Sequence, residues 1–526
     1  MDTIPLSFVA SMCYHSCSLL VRKDFVVPRR RLGICKPINS TQLKSTVSEP
    51  LVRRRTANYE SSLWSYDQGK HYAARADHLK KVVKMMIQKS SNVENPLTSK
   101  ELVDHLQRLG ISYHFKEEIS DALEMIYYQT HIFGNFKDKI ENLNLCRYED
   151  MVGILNLYEA SYHSFENECI LDEARDLTTI YLKEKLDEIN ESIAPLVRHA
   201  LEVPLQSRVP RVEARWFIEV YEKRSDMNPT LIELAKLDFN MVQIVHIEDL
   251  KHASSYVPGF STRRRDITKV NAMITTIDDV YDVYGTLDEL ERFSDVISRW
   301  DINAIEELPD YMKTCFLGLY NTINDITYNT LINTEILVLP YLTKVWADLC
   351  KSYLVEARWY HSGHTPTLED YLNNACITIG SPLTFMHIKC STSITSTQEI
   401  LQWLEETKTV VNHTALIVRL ADDLATSSDE MERGDIPKSI QCYMYESGAT
   451  EDEARRYIKS LIMKTWKKLN KERASAKSQL LREYIDYAMD IVRIAQFMYG
   501  KGDGHGRPNV TKSHVLSLLF NPIQGI

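Results

Sequence analysis

Glycine and proline are scarce in this chain, at 17 each in 526 residues, below the average usage of either. So few breakers, together with many Leu, Glu, Lys and Ala, exclude a turn-rich β architecture and predict a mostly helical protein. Cysteine is present but unorganised. Ten are scattered singly from Cys13 to Cys442, with no CxxC pair and no histidine clustered with them. That pattern implies neither a zinc centre nor a disulfide framework, and the thiols read as small packed hydrophobes. No apolar run approaches the roughly 18 residues that would cross a membrane. An excess of positive charge is also lacking: 62 Lys and Arg stand against 72 Asp and Glu, a net charge of -10. Nucleic acid is therefore not an expected partner.

The first 52 residues depart from this acidic balance. They hold Arg22, Lys23, Arg29, Arg30, Arg31, Lys36 and Lys44 against Asp2, Asp24 and Glu49, and they are rich in serine. A basic, serine-rich, acid-poor leader has the composition of an organelle transit peptide, so 1–52 is set apart from the fold. The length left over suggests more than one domain. Apolar residues recur at helical spacing, with Leu102, Leu106 and Leu109 forming one stripe and Leu231, Leu234, Leu237, Met241 and Val245 another. The polar stretch "YEKRSDMNPT", Tyr221 to Thr230, contains Asn-Pro and is the best linker candidate. It divides the chain into a helical domain over 53–225 and a second over 226–526.

Early in the second half, "ITTIDDVYDVYGT" places Asp278, Asp279 and Asp282 in a helix whose apolar face is Val270, Ile274, Ile277, Tyr281 and Tyr284. Gly285 is expected to stop that helix as a C-terminal glycine, and Thr286 with Glu289 to cap the next one. Asp278 and Asp282 then share a face, about 6 Å apart along the axis. Two carboxylates at that distance repel by roughly 3 kcal/mol at an effective dielectric of 20, unless a cation sits between them. A solvated acidic face would explain this row by itself. A second row argues otherwise: in "LIVRLADDLATSSDEMERGDIPKSI", Asp422, Thr426 and Glu430 follow at steps of four, on a face about 12 Å long. Carboxylate, hydroxyl and carboxylate make a hard-oxygen set suited to Mg²⁺ or Mn²⁺. Arg419 and Lys438 frame the row, as they would if the metals carried a polyanion such as a diphosphate.

These residues resemble a known family. "DDVYDVYGT" with "DDLATSSDE" looks like the paired metal motifs of plant class I terpene synthases. "RRTANYESSLW", with Arg54, Arg55 and then Trp64, is similar to the tandem-arginine motif of the monoterpene synthase branch, which follows a plastid transit peptide. "LQRLGISYHF", "LNLYEASY", "ARWFIEVY", "LAKLDFN", "KTWKKLNK", "GDGHG" and "LLFNPI" extend the likeness from residue 53 to the end. The resemblance implies an all-α fold of two helical domains, the C-terminal one a terpenoid-synthase-type bundle carrying the chemistry. It implies a monomer located in the chloroplast, geranyl diphosphate as substrate, and three Mg²⁺ or Mn²⁺ ions. By the same likeness Asp278, Asp282, Asp422, Thr426 and Glu430 hold metal, while Arg419 and Lys438 contact the diphosphate. Arg54, Arg55, Trp64, Tyr499, Asp503 and His505 would cap the closed pocket, and Gly502, Gly504 and Gly506 would give that lid its mobility.

Two segments of the family pattern are missing. Only "YVPGFSTRRRD", Tyr256 to Asp266, lies where relatives carry an "RDR" diphosphate motif and an aromatic "YFW". Counting back from Asp278 reaches Gln243 or Met241 instead of arginine, and Arg263, Arg264 and Arg265 stand too near the metal helix to replace the motif. The "LRQHGY" region is missing as well. The likeness thus allows a working monoterpene synthase with a shorter wall, releasing an olefin or an alcohol, or a catalytically impaired homologue. A chain-elongating prenyltransferase would carry DDxxD on both helices, which the second row here does not.

Overall fold

The computed structural model describes residues 73–525 apart from 92–95, 130–147, 190, 255–261, 392–395 and 505–510. The leader, Arg54, Arg55, Trp64, His505 and Gly506 lie outside the described residues. The first half contains α1 (Ala73–Ser91), α2 (Pro96–Arg108), α3 (Lys116–Gln129), α4 (Tyr148–Ser161), α5 (Cys169–Glu184), α6 (Ala194–Glu202) and α7 (Pro210–Tyr221). The second contains α8 (Pro229–Ser254), α9 (Thr262–Asp279), α10 (Leu287–Arg299), α11 (Asp310–Thr334), α12 (Leu339–Ser362) and α13 (Leu368–Thr378). It continues with α14 (Ser381–Cys390), α15 (Thr397–Arg433), α16 (Ser439–Ser447), α17 (Glu451–Ala474), α18 (Gln479–Tyr499) and α19 (Lys512–Leu519). Among the described residues there is no strand, only an isolated bridge between Gly500 and Gly502. The chain is all-α, as its composition requires.

Local signals set the helix ends. Thr450 and Glu453 form a capping box at the start of α17, and the Ser478 hydroxyl accepts the Leu481 N–H at 3.1 Å to start α18. Gly363, Gly434 and Gly448 end α12, α15 and α16 in the left-handed conformation. The stripes read from sequence do pack. Leu106, Leu109, Leu231, Leu234 and Leu237 are buried, although Val245 stays exposed at 44%.

The core does not part at the polar stretch after Tyr221. Buried side chains run without a break from α1 (Val83) through α7 (Phe217) and α8 (Leu234) into α15 (Leu420) and α18 (Val492). A second cluster, including Val270, Phe293, Phe316 and Trp346, is centred on α9 to α12. Polar side chains pin the two halves together. The Asp238 carboxylate of α8, 1% exposed, meets the Tyr113 hydroxyl, His114 Nε2 at 2.8 Å and the Arg211 guanidinium at 3.0 Å. Asn240 holds the C-terminal segment, donating to the Ile523 carbonyl at 3.0 Å and accepting its N–H at 2.8 Å.

Asp238→Ala would leave the buried Arg211 charge uncompensated. Breaking a buried pair from one side costs about 3–5 kcal/mol, and urea unfolding of the variant is expected to show a loss of that order. A loss no larger than that of a surface substitution would mean the Asp238 cluster contributes nothing to joining the halves.

Candidate active site

α9 carries the first acidic row to the mouth of the bundle, then departs from α-geometry. Val280 to Tyr284 form a π turn, closed by the Gly285 N–H donating to the Val280 carbonyl, five residues back, at 2.8 Å. Such turns concentrate at functional sites. Gly285 does end the helix, but not through the left-handed conformation expected of a C-terminal glycine: its backbone is extended, at φ −79 and ψ 142. What demands glycine is proximity. A Cβ here would lie 2.4 Å from Leu290 Cδ2 and 2.8 Å from the Val280 carbonyl oxygen. The Thr286–Glu289 capping box then starts α10 as expected, and the Tyr281 and Ser294 hydroxyls, 2.6 Å apart, tie the turn to that helix. Gly285→Ala is expected to cost about 1–3 kcal/mol in chemical unfolding, the usual toll of overpacking, and to lower activity by displacing Asp282. A variant as stable and active as the parent would show that the turn tolerates the added methyl.

The second row lies on α15. Arg419 Nη1 pairs with Asp422 Oδ2 at 2.8 Å, and the Thr426 hydroxyl donates to the Asp422 carbonyl at 3.1 Å. Lys438, at the start of α16, has its ammonium 3.8 Å from Glu430 Oε2. The two rows face each other. Asp278 lies within electrostatic reach of Arg419, and Asp282 within reach of Lys438 and Glu430. Burial, then the Asp282 and Asp279 carboxylates, hold Asp278 well above the ordinary carboxyl range. Asp422 is pushed up to about 7, first by burial and then by Glu430 and Asp423, against the pull of Arg419. Asp282 opens onto solvent, yet the protein around it and the Glu356, Asp435 and Glu430 carboxylates raise it to about 7, against the pull of Lys438. Beside it opens a cleft of about 410 Å³ lined by Asp282, Tyr284, Glu356, Tyr360, Asp435 and Lys438.

This arrangement fits divalent cations. Carboxylates crowd one another, and Glu430 Oε2 is buried without a hydrogen-bond donor, a costly state for a charged oxygen. Among the described residues no three acidic, His or Cys side chains close into a ready-made cage. Ions between the rows would complete their shells with water or ligand oxygens, as Mg²⁺ commonly does.

The structure brings together Asp278, Asp282, Arg419, Asp422, Thr426, Glu430 and Lys438. It adds Tyr499, whose hydroxyl bonds to Asp422, with Asp503 next to it. Several neighbours were not apparent from sequence. Glu356 of α12 is buried, accepts from Thr378 Oγ1 at 2.8 Å and Asn374 Nδ2 at 3.1 Å, and faces Asp282 and Lys438. Its signal was an acidic residue on the apolar seam of Leu349, Cys350 and Tyr353. The Tyr353 hydroxyl lies beside Asp278 and donates to the Thr378 carbonyl at 3.1 Å. α8 ends at Ser254 and α9 begins at Thr262, which leaves only 255–261 between them, as the short sequence there implied. Arg265 lies about 20 Å along α9 from Asp278, remote from the first row.

A family model described as "Terpene synthase family, metal binding domain" matches residues 233–468. Another, "Terpene synthase, N-terminal domain", matches 51–132 and 128–201. A chloroplastic R-linalool synthase of Artemisia annua is 56% identical over 542 residues, covering 90% of this chain and 95% of that protein. Among solved structures, limonene synthase with 2-fluorolinalyl diphosphate is similar with a TM-score of 0.81 at 36% identity, covering 90% of this chain and 100% of that one. Isoprene synthase from grey poplar, in complex with three Mg²⁺ ions and dimethylallyl-S-thiolodiphosphate, is similar with a TM-score of 0.77 at 36% identity, over 86% of this chain and 98% of that one. Family models over most of the chain, a relative of this identity and coverage, and opposed acidic rows in an all-helical bundle agree: the chain belongs to the terpene synthase family.

Proposed function

We propose that this chain is a plastid monoterpene synthase, a lyase that ionises geranyl diphosphate, releases diphosphate and yields a monoterpene olefin or alcohol. The observation that carries the reading is the convergence of two carboxylate rows with the buried cations Arg419 and Lys438 at one mouth of the bundle. Names of relatives support it: the R-linalool synthase above and a myrcene synthase of Quercus ilex are both chloroplastic. The cofactor is Mg²⁺ or Mn²⁺, with three ions by analogy with the complexed isoprene synthase. Asp278 and Asp282 hold metal from one side, and Asp422, Thr426 and Glu430 from the other. When bound, the metal supplies Lewis acidity toward the leaving diphosphate.

The chain's own groups do the rest. Arg419 and Lys438 take diphosphate oxygens that metal leaves free. Tyr353 stands beside Asp278, and Tyr499 orients Asp422 by a hydrogen bond. The mass of α9, α12, α13 and α15 around the rows excludes water from a reactive cation. Residues 53–225 support the catalytic part, 226–526, with which they share one continuous core, and the protein works as a monomer. Tyr499 and Asp503, beside Asp422, would cap the pocket, and the family likeness gives the same role to Arg54, Arg55, Trp64 and His505.

The short α8–α9 connection favours a second reading, a family member with a weakened wall and little turnover. Purified protein given geranyl diphosphate and Mg²⁺ is expected to release a C10 product, detected by gas chromatography, together with pyrophosphate. A cooperatively melting protein that produces neither would support the impaired homologue instead.

A further inference from the structure

Asp422 and Asp423 are adjacent in sequence and differ completely in setting. Successive helical residues point about 100° apart, so the Asp422 side chain reaches the acidic face while that of Asp423 turns into the protein and is 0% exposed. Both its oxygens are already engaged. The Tyr371 hydroxyl of α13 lies 3.0 Å from each of them. Oδ2 also accepts the backbone N–H of Ser439, the first residue of α16, at 3.1 Å, and Oδ1 accepts from Arg419 Nη1 at 3.5 Å. Asp423 thus joins three elements: the α13 wall, the turn of α15 that holds Arg419, and the N-terminus of α16, next to Lys438. A carboxylate at a helix N-terminus is favourable both as a hydrogen-bond acceptor and toward the helix dipole. Arg419, 9% exposed, is gripped through Nη1 and through Nη2, which reaches Thr378 Oγ1 at 3.4 Å, while its Nε–H has no acceptor.

We propose that Asp423 is a positioning residue that ligates no metal and instead fixes the guanidinium of Arg419 and the turn bearing Lys438 at the separation that a substrate diphosphate spans. The inference rests on the terpene synthase reading of the two rows. In Asp423→Asn one oxygen becomes an NH₂ group. If the remaining oxygen keeps the Ser439 N–H, the new donor faces Arg419, donor against donor, and the two cations lose their common anchor. Supporting groups of this kind change affinity by about 10- to 100-fold when replaced.

The test uses the full chain and inorganic pyrophosphate as probe, titrated calorimetrically at saturating Mg²⁺, with Mg²⁺ half-saturation, kcat and KM measured on the same preparations. Asp423→Asn is expected to bind pyrophosphate about 10- to 100-fold more weakly, to raise KM, and to keep the parent's Mg²⁺ half-saturation. Asp422→Asn, lacking a proposed metal ligand as well as the nearer partner of Arg419, should need more Mg²⁺, a shift that Asp423→Asn is expected not to show. Tyr371→Phe, which removes one donor and little volume, is expected to move pyrophosphate affinity in the same direction by about tenfold. A folded Asp423→Asn protein that binds pyrophosphate like the parent overturns the proposal. So does recovery of Asp423→Asn by excess Mg²⁺, which would make Asp423 a ligand. If Asp423→Asn does not fold, Tyr371→Phe decides, and unchanged pyrophosphate affinity there overturns the proposal too. A parent protein that fails to bind pyrophosphate with Mg²⁺ points elsewhere: it removes the diphosphate reading itself, before Asp423 is at issue.

Discussion

Asp278→Ala is expected to lower turnover of geranyl diphosphate by at least about 10³-fold, because the metal's Lewis acidity supplies several kcal/mol of the barrier reduction, while the protein still melts cooperatively. The two halves of that expectation have one cause. Asp278 sits where Asp282 and Asp279 hold its carboxyl well above the ordinary range, so in the metal-free protein its charge opposes the fold. Removing it relieves repulsion, while the hydroxyl of neighbouring Tyr353 keeps its acceptor, the Thr378 carbonyl. The melting temperature without metal is therefore expected to be unchanged or raised. Asp278→Asn keeps the side-chain volume and is expected to be as inactive as the alanine variant, which separates loss of charge from loss of packing. Gas-chromatographic product yield and circular-dichroism melts read both effects. Unchanged product formation by Asp278→Ala would remove this residue from the metal site, and a large fall in melting temperature would mean that it serves the fold.

What the sequence made legible is what repeats over short distances. The steps of four in Asp422–Thr426–Glu430 are properties of one helix, as are the Leu102–Leu106–Leu109 stripe and the Thr286–Glu289 box, and the structure contains them. Asp278 and Asp282 stay neighbours, although the second falls in the π turn after α9. What escaped depends on neighbours remote in sequence. The π turn at Val280–Tyr284 accompanies the approach of Gly285 to Leu290, a contact that spacing does not announce. Glu356 is one acidic residue among many until α12 packs against α13 and the π turn and brings it to Asp282 and Lys438. Spacing sets Asp422 apart from Asp423, since only Asp422 falls in step with Thr426 and Glu430, but what Asp423 does instead depends on the wall contributed by Tyr371. The polar stretch after Tyr221 reports exposure, since composition says nothing of what packs on either side. The core passes across it unbroken.

Magnesium is expected to raise the melting temperature strongly at about pH 8 and hardly at about pH 5, since its ligands must be deprotonated. Asp282 and Asp422 hold their protons up to about 7 in the folded, metal-free protein, whereas in the unfolded chain they release them near the ordinary value of about 4. Between those values the folded state binds more protons than the unfolded one, so these groups reduce stability as pH rises through the window and add no further change above it. A cation placed between the rows reverses the balance, because it binds the carboxylates and expels the protons. Below about pH 7 its affinity should climb about tenfold per pH unit for each proton released, and up to about a hundredfold where both carboxyls deprotonate. Melts from about pH 5 to pH 8, with MgCl₂ and with chelator, isolate this increment, because every other titrating group contributes equally to both series. Asp282→Asn and Asp422→Asn should each flatten the dependence. A magnesium increment that stays constant with pH would mean that the ion binds elsewhere, and the opposed rows would then lose the physical basis for their role.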